Sequence, residues 1–377
     1  MQRDYGSRDA TFVKCVSYIR ESMLTIAEAD KATWACVPLQ GPGTMGIEAA
    51  ASTTTPRVGG RYLVLQSGKY AERMAEMTRR LGIDTVLFST REGVDIDLNK
   101  LERYLEENGK SLTNVGMVHH ETSTGMLNPI AAVGALVRRY CNPDTVFIVD
   151  SMSAFGSVAC NVDAICDVLI TSANKCLHGV PGFSIVLVRR SLLKRCKGWS
   201  RSFTLDLEFQ CAGLDKTGQF PFTPPVHTLM AFATATKEFF DEGGVEGRRR
   251  RYKRLSDVVV SGMTKQGFTL FLDNTVPSFG NIVVAFNMPK HTKWNFKGYY
   301  EHLRKYDCVI YPGKASNAET FRIGLIGDLY EKDADLIVSA SAEYVASVDW
   351  GTGGIGGQGH HNADLPNVRR SGFVSKL

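Results

Sequence analysis

Short, continuous apolar runs that alternate with amphipathic stretches constrain the fold of this chain more than any other feature. Apolar runs such as RYLVLQSG, DTVLFST, DTVFIVD and DVLITSA are separated by helical segments such as KYAERMAEMTRRLG and DLNKLERYLEENG. Strands that are apolar on every residue are buried on both faces, as in parallel sheets covered by helices. We therefore predict an α/β fold with a mainly parallel sheet between helices, in which ligands bind beyond the carboxyl ends of the strands.

A second, smaller domain is predicted because 377 residues exceed what one hydrophobic core usually supports. From about Thr236 one long charged helix leads away from the alternating pattern, and strands and helices suited to an antiparallel sheet follow it. We assign 1–20 to an N-terminal segment that packs with the small domain, 21–245 to the large domain, 246–350 to a smaller C-terminal α/β domain, and 351–377 to a flexible tail rich in glycine.

The net charge of +5 is small for this length, and much of it lies in one cluster on a predicted helix. The cluster comprises Arg248, Arg249, Arg250, Arg251, Lys253 and Arg254. A nucleic-acid surface would need a wider basic stripe with interleaved aromatic residues, and only Tyr252 is present here. We interpret the cluster as a solvated helix face and predict no nucleic-acid partner.

The nine cysteines form no CxxC pair and show no spacing typical of His/Cys metal ligands. We therefore expect reduced thiols, no metal and a cytoplasmic protein. Residues 1–30 carry charges throughout, and no apolar run in the chain approaches the roughly 20 residues that cross a bilayer. The sequence thus predicts no membrane association.

Two ionisable residues lie at the carboxyl ends of predicted strands. Asp150 ends the run TVFIVD, and Lys175 follows the run DVLITSAN. A helix cap and a surface lysine are the plain alternatives. In a crevice at the strand ends, a shielded lysine can lose its proton, attack an aldehyde and form an imine, while the carboxylate keeps a bound pyridine nitrogen protonated. The pair therefore fits a pyridoxal-phosphate (PLP) site.

Gly41, Gly43 and Gly46 satisfy the GxGxxG pattern between a predicted strand and a predicted helix. A dinucleotide-binding protein is the alternative, and it requires an acidic residue at the end of the next strand, whereas RYLVLQSG ends without a carboxylate. The glycine turn also suits one phosphate at a helix N-terminus, bound by the N–H groups of Gly43 and Thr44 and by the Thr44 hydroxyl. We favour the single phosphate.

Three more residues fit a PLP pocket. Tyr70 lies just past a strand end, where its ring can stack on the pyridine or simply belong to the core. Thr122 lies in the segment VHHETSTGMLNP, which can place a hydroxyl near the phenolic oxygen of the ring or form a turn. Arg322 lies inside the apolar run ETFRIGLIG, and a buried arginine needs an anion, which is either a structural carboxylate or an acidic substrate.

Six motifs extend this interpretation: VHHETSTGMLNP, IVDSMSAFG, ITSANKCLHGVPGF, FPFTPPVHTLMAF, EGGVEGRRRRY and IYPGKASNAETFRIGLIG. In this order they resemble the 2-aminoethylphosphonate–pyruvate aminotransferase family, within the class V aminotransferases of PLP fold type I. The resemblance runs from about Arg3 to about Val348. It implies the PLP-dependent transferase fold type I, PLP as cofactor, a homodimer with two active sites at the subunit interface, and transfer of the amino group of 2-aminoethylphosphonate to pyruvate, which yields phosphonoacetaldehyde and alanine.

The resemblance also implies a role for each candidate residue. It assigns Lys175 to the covalent bond with PLP, Asp150 to the pyridine nitrogen, Gly43 and Thr44 to the phosphate, Tyr70 to stacking on the ring, Thr122 to the ring oxygen, Thr223 to the phosphate bound by the other subunit, and Arg322 to the acidic group of the substrate.

The chain departs from the family pattern at two places. Pro42 stands where the family usually has serine in a GSGT loop, which removes a hydrogen bond worth about 0.5–1.5 kcal/mol, so we expect weaker PLP binding. A family segment resembling LLTPGP, which lines the substrate entrance, is absent from this sequence, and we expect its absence to affect activity and substrate choice. Class V enzymes that use alanine or serine with glyoxylate share the Lys, Asp and Arg constellation, so another donor or a weakened homologue stays open.

Overall fold

The computed structural model describes residues 4–313, 315 and 318–348, and the predicted tail at 351–377 lies outside these described residues. Seven strands form the large sheet, and two very short strands form a hairpin beside it. The large-sheet strands are β1 (Trp34–Gln40), β2 (Arg61–Gln66), β3 (Asp84–Ser89), β4 (Asn114–Val118), β7 (Val146–Asp150), β8 (Val168–Ser172) and β9 (Phe183–Arg189); the hairpin strands are β5 (His120–Glu121) and β6 (Met126–Leu127).

The strand order in the large sheet is β1-β9-β8-β7-β4-β2-β3, and all neighbours are parallel except those of β9. This confirms the mainly parallel sheet that the apolar runs predict. The central strands β4, β7 and β8 are buried on every residue, because helices cover both faces of the sheet. Consequently the carboxyl ends of β1, β2, β4, β7 and β8 meet at one edge.

Helices of regular amphipathic pattern cover this sheet. In the segment KYAERMAEMTRR the buried residues Ala71, Met74, Ala75 and Thr78 recur at helical spacing. The helices of the large domain are α1 (Ala10–Ile26), α2 (Gly43–Thr54), α3 (Lys69–Arg80), α4 (Leu98–Asn108), α5 (Ile130–Tyr140), α6 (Val162–Ile165), α7 (Arg190–Arg195), α8 (Leu207–Thr217) and α9 (Val226–Asp241).

A second hydrophobic core lies under a small antiparallel sheet of order β10-β12-β11. Its elements are α10 (Gly244–Lys265), β10 (Val283–Asn287), α11 (Phe296–Arg304), β11 (Tyr311–Pro312), β12 (Thr320–Gly324) and α12 (Glu331–Ser347). The antiparallel sheet expected for the smaller α/β unit is therefore present. The two domains are in contact. Met126 and Cys176 belong to the large domain by sequence, but their side chains pack in the second core.

Helix α1 corrects the expectation that residues 1–20 pack with the small domain. Its apolar stripe of Phe12, Val16 and Ile19 is buried in the larger core, where α1 packs on β1 and α9. The sequence pattern defines the stripe, but it does not specify which of the two cores receives it.

The single long helix expected from about Thr236 is two helices. Helix α9 ends at Asp241 and α10 begins at Gly244, and both Gly243 and Gly244 have positive φ angles of 97° and 64°. Glycine adopts this left-handed conformation without the penalty that a Cβ atom brings, so the pair can redirect the chain between the two helices.

The basic cluster on α10 is only partly the solvated face that its sequence suggests. Four of its six cations are exposed, but Arg248 and Arg251 are buried, with 2% and 5% of their surface accessible. Both guanidinium groups pair with the carboxylate of Glu242, which compensates much of the cost of burying them.

Among the described residues, no helix combines the length and the apolar character that crossing a bilayer requires. In the same residues, no group of three or more histidine, cysteine or acidic side chains is arranged to hold a metal ion. All nine cysteines are free thiols.

Candidate active site

A cavity of about 510 Å³ lies at the carboxyl edge of the large sheet. Because five strands end there, residues far apart in sequence line it together. The predicted site residues in its wall are Gly43, Thr44, Tyr70, Thr122, Asp150 and Lys175. Six of the eight residues to which the family resemblance assigns a role therefore lie in one cavity, as expected for residues that follow the carboxyl ends of parallel strands.

Lys175 follows β8 by three residues and is partly buried at the cavity wall. Burial lowers the pKa of its amine below the ordinary value of 10.5, and the nearby Arg322 adds to this shift, whereas Tyr70, Cys176 and Asp150 oppose it. A lowered pKa increases the fraction of neutral amine, which is the nucleophilic form.

Asp150 is the last residue of β7 and is 2% exposed. Burial raises the pKa of its carboxyl from 3.8 to about 6, although the Met152 N–H and the charges of Arg73 and Lys175 lower it. The Met152 N–H donates to Oδ1 at 3.0 Å and orients the carboxylate. A cationic ring nitrogen in the cavity would stabilise the ionised form of such a group.

The glycine turn after β1 leads directly into α2. Gly41 has a φ of 119°, and Pro42 is the N-cap residue, with no side chain bonded to the free N–H groups of the first helical turn. Gly46 allows α2 to approach the sheet, because a Cβ atom there would lie 2.8 Å from Ile170 Cγ2. The first turn of α2 therefore presents N–H donors to the cavity, as a phosphate or another anion requires.

Tyr70 is in the first turn of α3, and two further residues that the sequence did not single out support it. The Arg73 guanidinium carbon lies 5.0 Å from the centre of the Tyr70 ring, and Arg73 also lines the cavity. Glu121, which is fully buried, accepts a hydrogen bond from the Tyr70 N–H at 3.2 Å and from Ser123 Oγ at 2.7 Å. Glu121 therefore caps α3 across the chain and holds Tyr70 at the cavity.

Two adjacent histidines after β4 were also missed by the sequence analysis. His120 lines the cavity, and its Nδ1 lies 2.8 Å from Ser153 Oγ; His119 Nδ1 lies 2.9 Å from Ser151 Oγ. Burial lowers the pKa of His120 to about 4 and that of His119 to about 3, so both rings are neutral near pH 7. Their position at a strand end was the signal available in the sequence.

Arg322 lies in β12 of the small sheet and is 4% exposed. Its Nη1 donates to the Thr122 carbonyl oxygen at 2.8 Å, and its charge acts on Lys175, so it borders the cavity from the other domain. Within the described residues its Nε is buried without a hydrogen-bond partner. No carboxylate of the described chain forms a salt bridge with it, and a buried donor of this kind favours an acidic ligand.

Thr223 does not line this cavity and is exposed. It follows Phe222, whose ring contacts those of Phe203 and Phe209 at 5.7 and 5.9 Å between centroids. Phe203 and Phe209 are themselves exposed, at 74% and 43%. In the described chain, Thr223 therefore lies on an aromatic surface and apart from the other candidates.

Comparison with known families and proteins extends this description. The family described as aminotransferase class-V matches residues 3–315. The chain is 39% identical over 330 residues to 2-aminoethylphosphonate–pyruvate transaminase of Paraburkholderia phymatum, covering 87% of each chain. It is 39% identical over 345 residues to the protein of the same name from Syntrophobacter fumaroxidans, covering 91% of each.

Solved structures share the fold at lower sequence identity. Ureidoglycine–glyoxylate aminotransferase from Bacillus subtilis superposes with a TM-score of 0.81 at 22% identity, covering 93% of this chain and 89% of that one. Pyridoxamine–pyruvate aminotransferase from Mesorhizobium loti gives the same TM-score and identity, covering 92% and 87%. These likenesses confirm the expected PLP-dependent transferase fold type I.

Proposed function

This chain belongs to the class V aminotransferase family, and from that premise we propose that it transfers the amino group of 2-aminoethylphosphonate to pyruvate. One observation carries the proposal: a lysine of lowered pKa, a buried carboxylate and the open first turn of a helix face one cavity at the sheet edge. The relatives of similar length that are about 40% identical carry the name of this activity, which supports this choice of substrates.

The residues present fit pyridoxal 5′-phosphate as the cofactor. Lys175 would hold its aldehyde carbon, Asp150 its pyridine nitrogen, and the N–H groups of Gly43 and Thr44 its phosphate. Tyr70 would stack on the ring, and Thr122 would lie near the ring oxygen. When bound, PLP supplies an electron sink for the electrons released at the substrate carbon.

Lys175 would act as the base and acid of the reaction. Its neutral amine would accept the proton from the substrate carbon and, once protonated, could return a proton as an acid. The lowered pKa supports this role, because a neutral amine is required to accept a proton. Asp150 would remain ionised and keep the ring nitrogen protonated throughout.

Arg322 would bind the acidic group of both substrates. A phosphonate and a carboxylate are both oxyanions, and the guanidinium fork can bind either one through two hydrogen bonds. The buried Nε without a partner is the donor that such a group would satisfy. One arginine can therefore serve both half-reactions.

A homodimer would bring Thr223 to a phosphate site. The exposed rings of Phe203 and Phe209 next to Thr223 form an apolar surface that association would bury, and a second copy of the chain is the proposed occupant. In a measurement of molecular mass by sedimentation, Phe203→Asp should weaken the dimer together with PLP binding. Val94→Asp, at an exposed valine in the loop between β3 and α4, should change neither.

Visible absorbance of the purified protein tests the whole proposal. Protein loaded with PLP should be yellow, lose the colour with 2-aminoethylphosphonate, and regain it with pyruvate. Borohydride reduction of the yellow form, followed by peptide mapping, should place the pyridoxyl label on Lys175. A label on any other residue, or none, contradicts the proposal.

Two outcomes of this experiment favour other functions. Colour lost with alanine or serine, and kept with 2-aminoethylphosphonate, would indicate a different class V amino donor. Protein that stays colourless with PLP but binds NAD would indicate the dinucleotide alternative of the glycine turn. The absence of a carboxylate after β2 opposes that alternative, since Gln66 bonds there to Ser89 instead.

A further inference from the structure

Two buried residues of α10 contact the loop that carries Lys175. Arg248 and Tyr252 lie one helical turn apart, and they are 2% and 1% exposed. We propose that both are positioning residues, which fix residues 175–178 and thereby orient the Lys175 amine in the cavity. This inference rests on the proposed role of Lys175. Both supporting residues belong to the small domain.

Arg248 holds the peptide that joins Cys176 to Leu177, one residue after Lys175. Its Nη1 donates to the carbonyl oxygen of Cys176. Its Nε and Nη2 both lie 2.8 Å from Glu242 Oε2, and the guanidinium carbon lies 5.2 Å from the centre of the Phe239 ring. With both sides of its fork engaged, the guanidinium has little freedom, so the Cys176 carbonyl is fixed in direction.

Tyr252 holds the other end of the loop. Its hydroxyl lies 2.6 Å from His178 Nε2, and the same nitrogen accepts the Gly327 N–H at 3.2 Å. Because the Gly327 N–H can only donate, Nε2 is the acceptor and the Tyr252 hydroxyl donates to it. The His178 N–H in turn donates to the Lys175 carbonyl oxygen at 2.9 Å and closes the turn.

The backbone of this loop requires such support. His178 has a φ of 57°, in the left-handed region that residues with a Cβ atom adopt only at an energetic cost. Conformations of this kind persist when surrounding contacts determine them, and the contacts here come from α10 and Gly327. Loss of these contacts would allow the turn, and Lys175 with it, to relax.

Helix α10 also links the Lys175 loop to the segment that follows β12, the strand that carries Arg322. Arg251 shares the Glu242 carboxylate with Arg248, and its Nη1 donates to the carbonyl oxygens of Gly327 and Leu329 at 3.0 and 2.9 Å. The Lys175 loop and the segment after β12 are therefore both linked to the half-buried carboxylate of Glu242. A change in the α10 contacts would therefore alter the distance between the Lys175 amine and the proposed binding site for the acidic group of the substrate.

Arg248→Met, with Arg249→Met as the matched control, tests the inference. The two arginines are adjacent in one helix, but the Arg249 side chain is 63% exposed and pairs with Glu246 on the surface. The first measurement, on cofactor-free protein, is the pH dependence with which the Lys175 amine is reductively methylated, followed by peptide mapping. The second, on PLP-loaded protein, is the pH at which the visible absorbance changes, together with kcat and KM for pyruvate.

In the Arg248→Met protein the loosened loop should admit water to Lys175. Since burial is what lowers the pKa of this amine, its titration midpoint should rise by about half a unit or more. We expect kcat to fall about 10- to 100-fold through misplacement of the amine, with KM for pyruvate changed less than about threefold. The titratable and charged groups that face Lys175 keep their side chains in this variant: Tyr70, His120, Asp150, Cys176 and Arg322. Of these, Cys176 loses the hydrogen bond and the nearby charge of Arg248.

If Arg248→Met does not fold, Tyr252→Phe and Arg248→Lys provide the same test. The first removes a single hydroxyl, and the second keeps the charge but lacks the fork that spans Glu242 and Cys176. Both should shift the Lys175 midpoint in the same direction, and the lysine variant should recover part of kcat. Midpoints in both variants equal to that of Arg249→Met would overturn the inference.

The two proposals fail in different ways. Wild-type protein that takes no pyridoxyl label on Lys175 overturns the proposed function and this inference with it. Wild-type protein that is labelled on Lys175, with variants of Arg248 and Tyr252 that titrate and turn over like the Arg249 control, overturns only the positioning role.

Discussion

The guanidinium of Arg322 donates to the carbonyl oxygen of Thr122 across 2.8 Å, and this bond joins the small antiparallel sheet to the wall of the cavity. The bond fixes Nη1 of Arg322, while Nε is buried without a hydrogen-bond partner among the described residues. The positive charge of Arg322, in the small domain, acts on Lys175 in the large domain. Both domains therefore contribute residues at the cavity. The proposed binding of an acidic substrate depends on where β12 places this one arginine.

Arg322→Met should lower kcat/KM for pyruvate and for 2-aminoethylphosphonate by at least about 100-fold, because charge-assisted hydrogen bonds contribute about 1.5–3 kcal/mol each. The visible absorbance of the PLP-loaded variant should stay close to that of wild type, since the lysine and the carboxylate are retained. Arg304→Met is the control, because Arg304 is exposed on α11 and pairs only loosely with Glu301 at 3.6 Å. Equal losses in both variants would exclude the substrate role.

Lys175→Ala should abolish the pyridoxyl label that borohydride reduction produces and should lower the transamination rate by about 10²–10⁴-fold, the contribution of a positioned acid–base group. An added primary amine such as methylamine should restore part of the rate, because the cavity left by the side chain can admit a small base. Lys265→Ala, at an exposed lysine in the last turn of α10, should leave both label and rate unchanged. Retention of the label in Lys175→Ala would contradict the assignment.

Asp150→Asn should weaken PLP binding most at neutral and alkaline pH. The carboxyl of the cofactor-free protein is ionised above its pKa of about 6 and neutral below it. Only the ionised form attracts a protonated pyridine nitrogen, so the advantage of wild type over the variant should shrink as pH falls through 6, by up to about tenfold per unit. Dissociation constants measured by fluorescence from pH 5 to 8 check this, with Asp144→Asn, an exposed aspartate, as the control. A ratio independent of pH would refute it.

Glu121→Gln should change how stability depends on pH. Burial raises the pKa of Glu121 from 4.5 to about 7, so between these values the folded protein binds more protons than the unfolded chain. The stability contributed by this group is complete below pH 4.5 and is lost as pH rises through 7, by up to about 1.4 kcal/mol per unit. The free energy of unfolding of the variant, relative to wild type, should therefore rise from pH 5 to 8.

Urea denaturation of the cofactor-free proteins measures this difference, and Glu107→Gln, at an exposed position on α4, supplies the control. Curves for Glu121→Gln and wild type that stay parallel over the whole range would show that Glu121 does not titrate there.

The sequence pattern was sufficient to predict the site where a strand-end rule applied. Asp150 and Lys175 each follow an apolar run, and the carboxyl ends of parallel strands meet at one edge, so their proximity did not require coordinates. The same rule placed the glycine turn and Tyr70. It also covered His120 and Glu121, but nothing local distinguished them from turn residues, because their importance comes from burial by other segments.

Residues whose roles depend on distant partners were predicted wrongly or not at all. Helix α1 has a clear apolar stripe, yet only the fold decides that it packs on β1 and α9. Arg248 and Arg249 are adjacent and chemically identical, and only the fold separates the buried residue from the solvated one.

By itself, then, the sequence determined the elements, their parallel arrangement and the edge at which ligands bind, because local periodicity and backbone chirality act over a few residues. The tertiary structure alone decided which face of α10 meets the Lys175 loop and which donor of Arg322 is left without a partner. Those outcomes arise from packing between segments tens to hundreds of residues apart, such as the contact between Arg248 and Cys176. No pattern within one segment specifies such a contact.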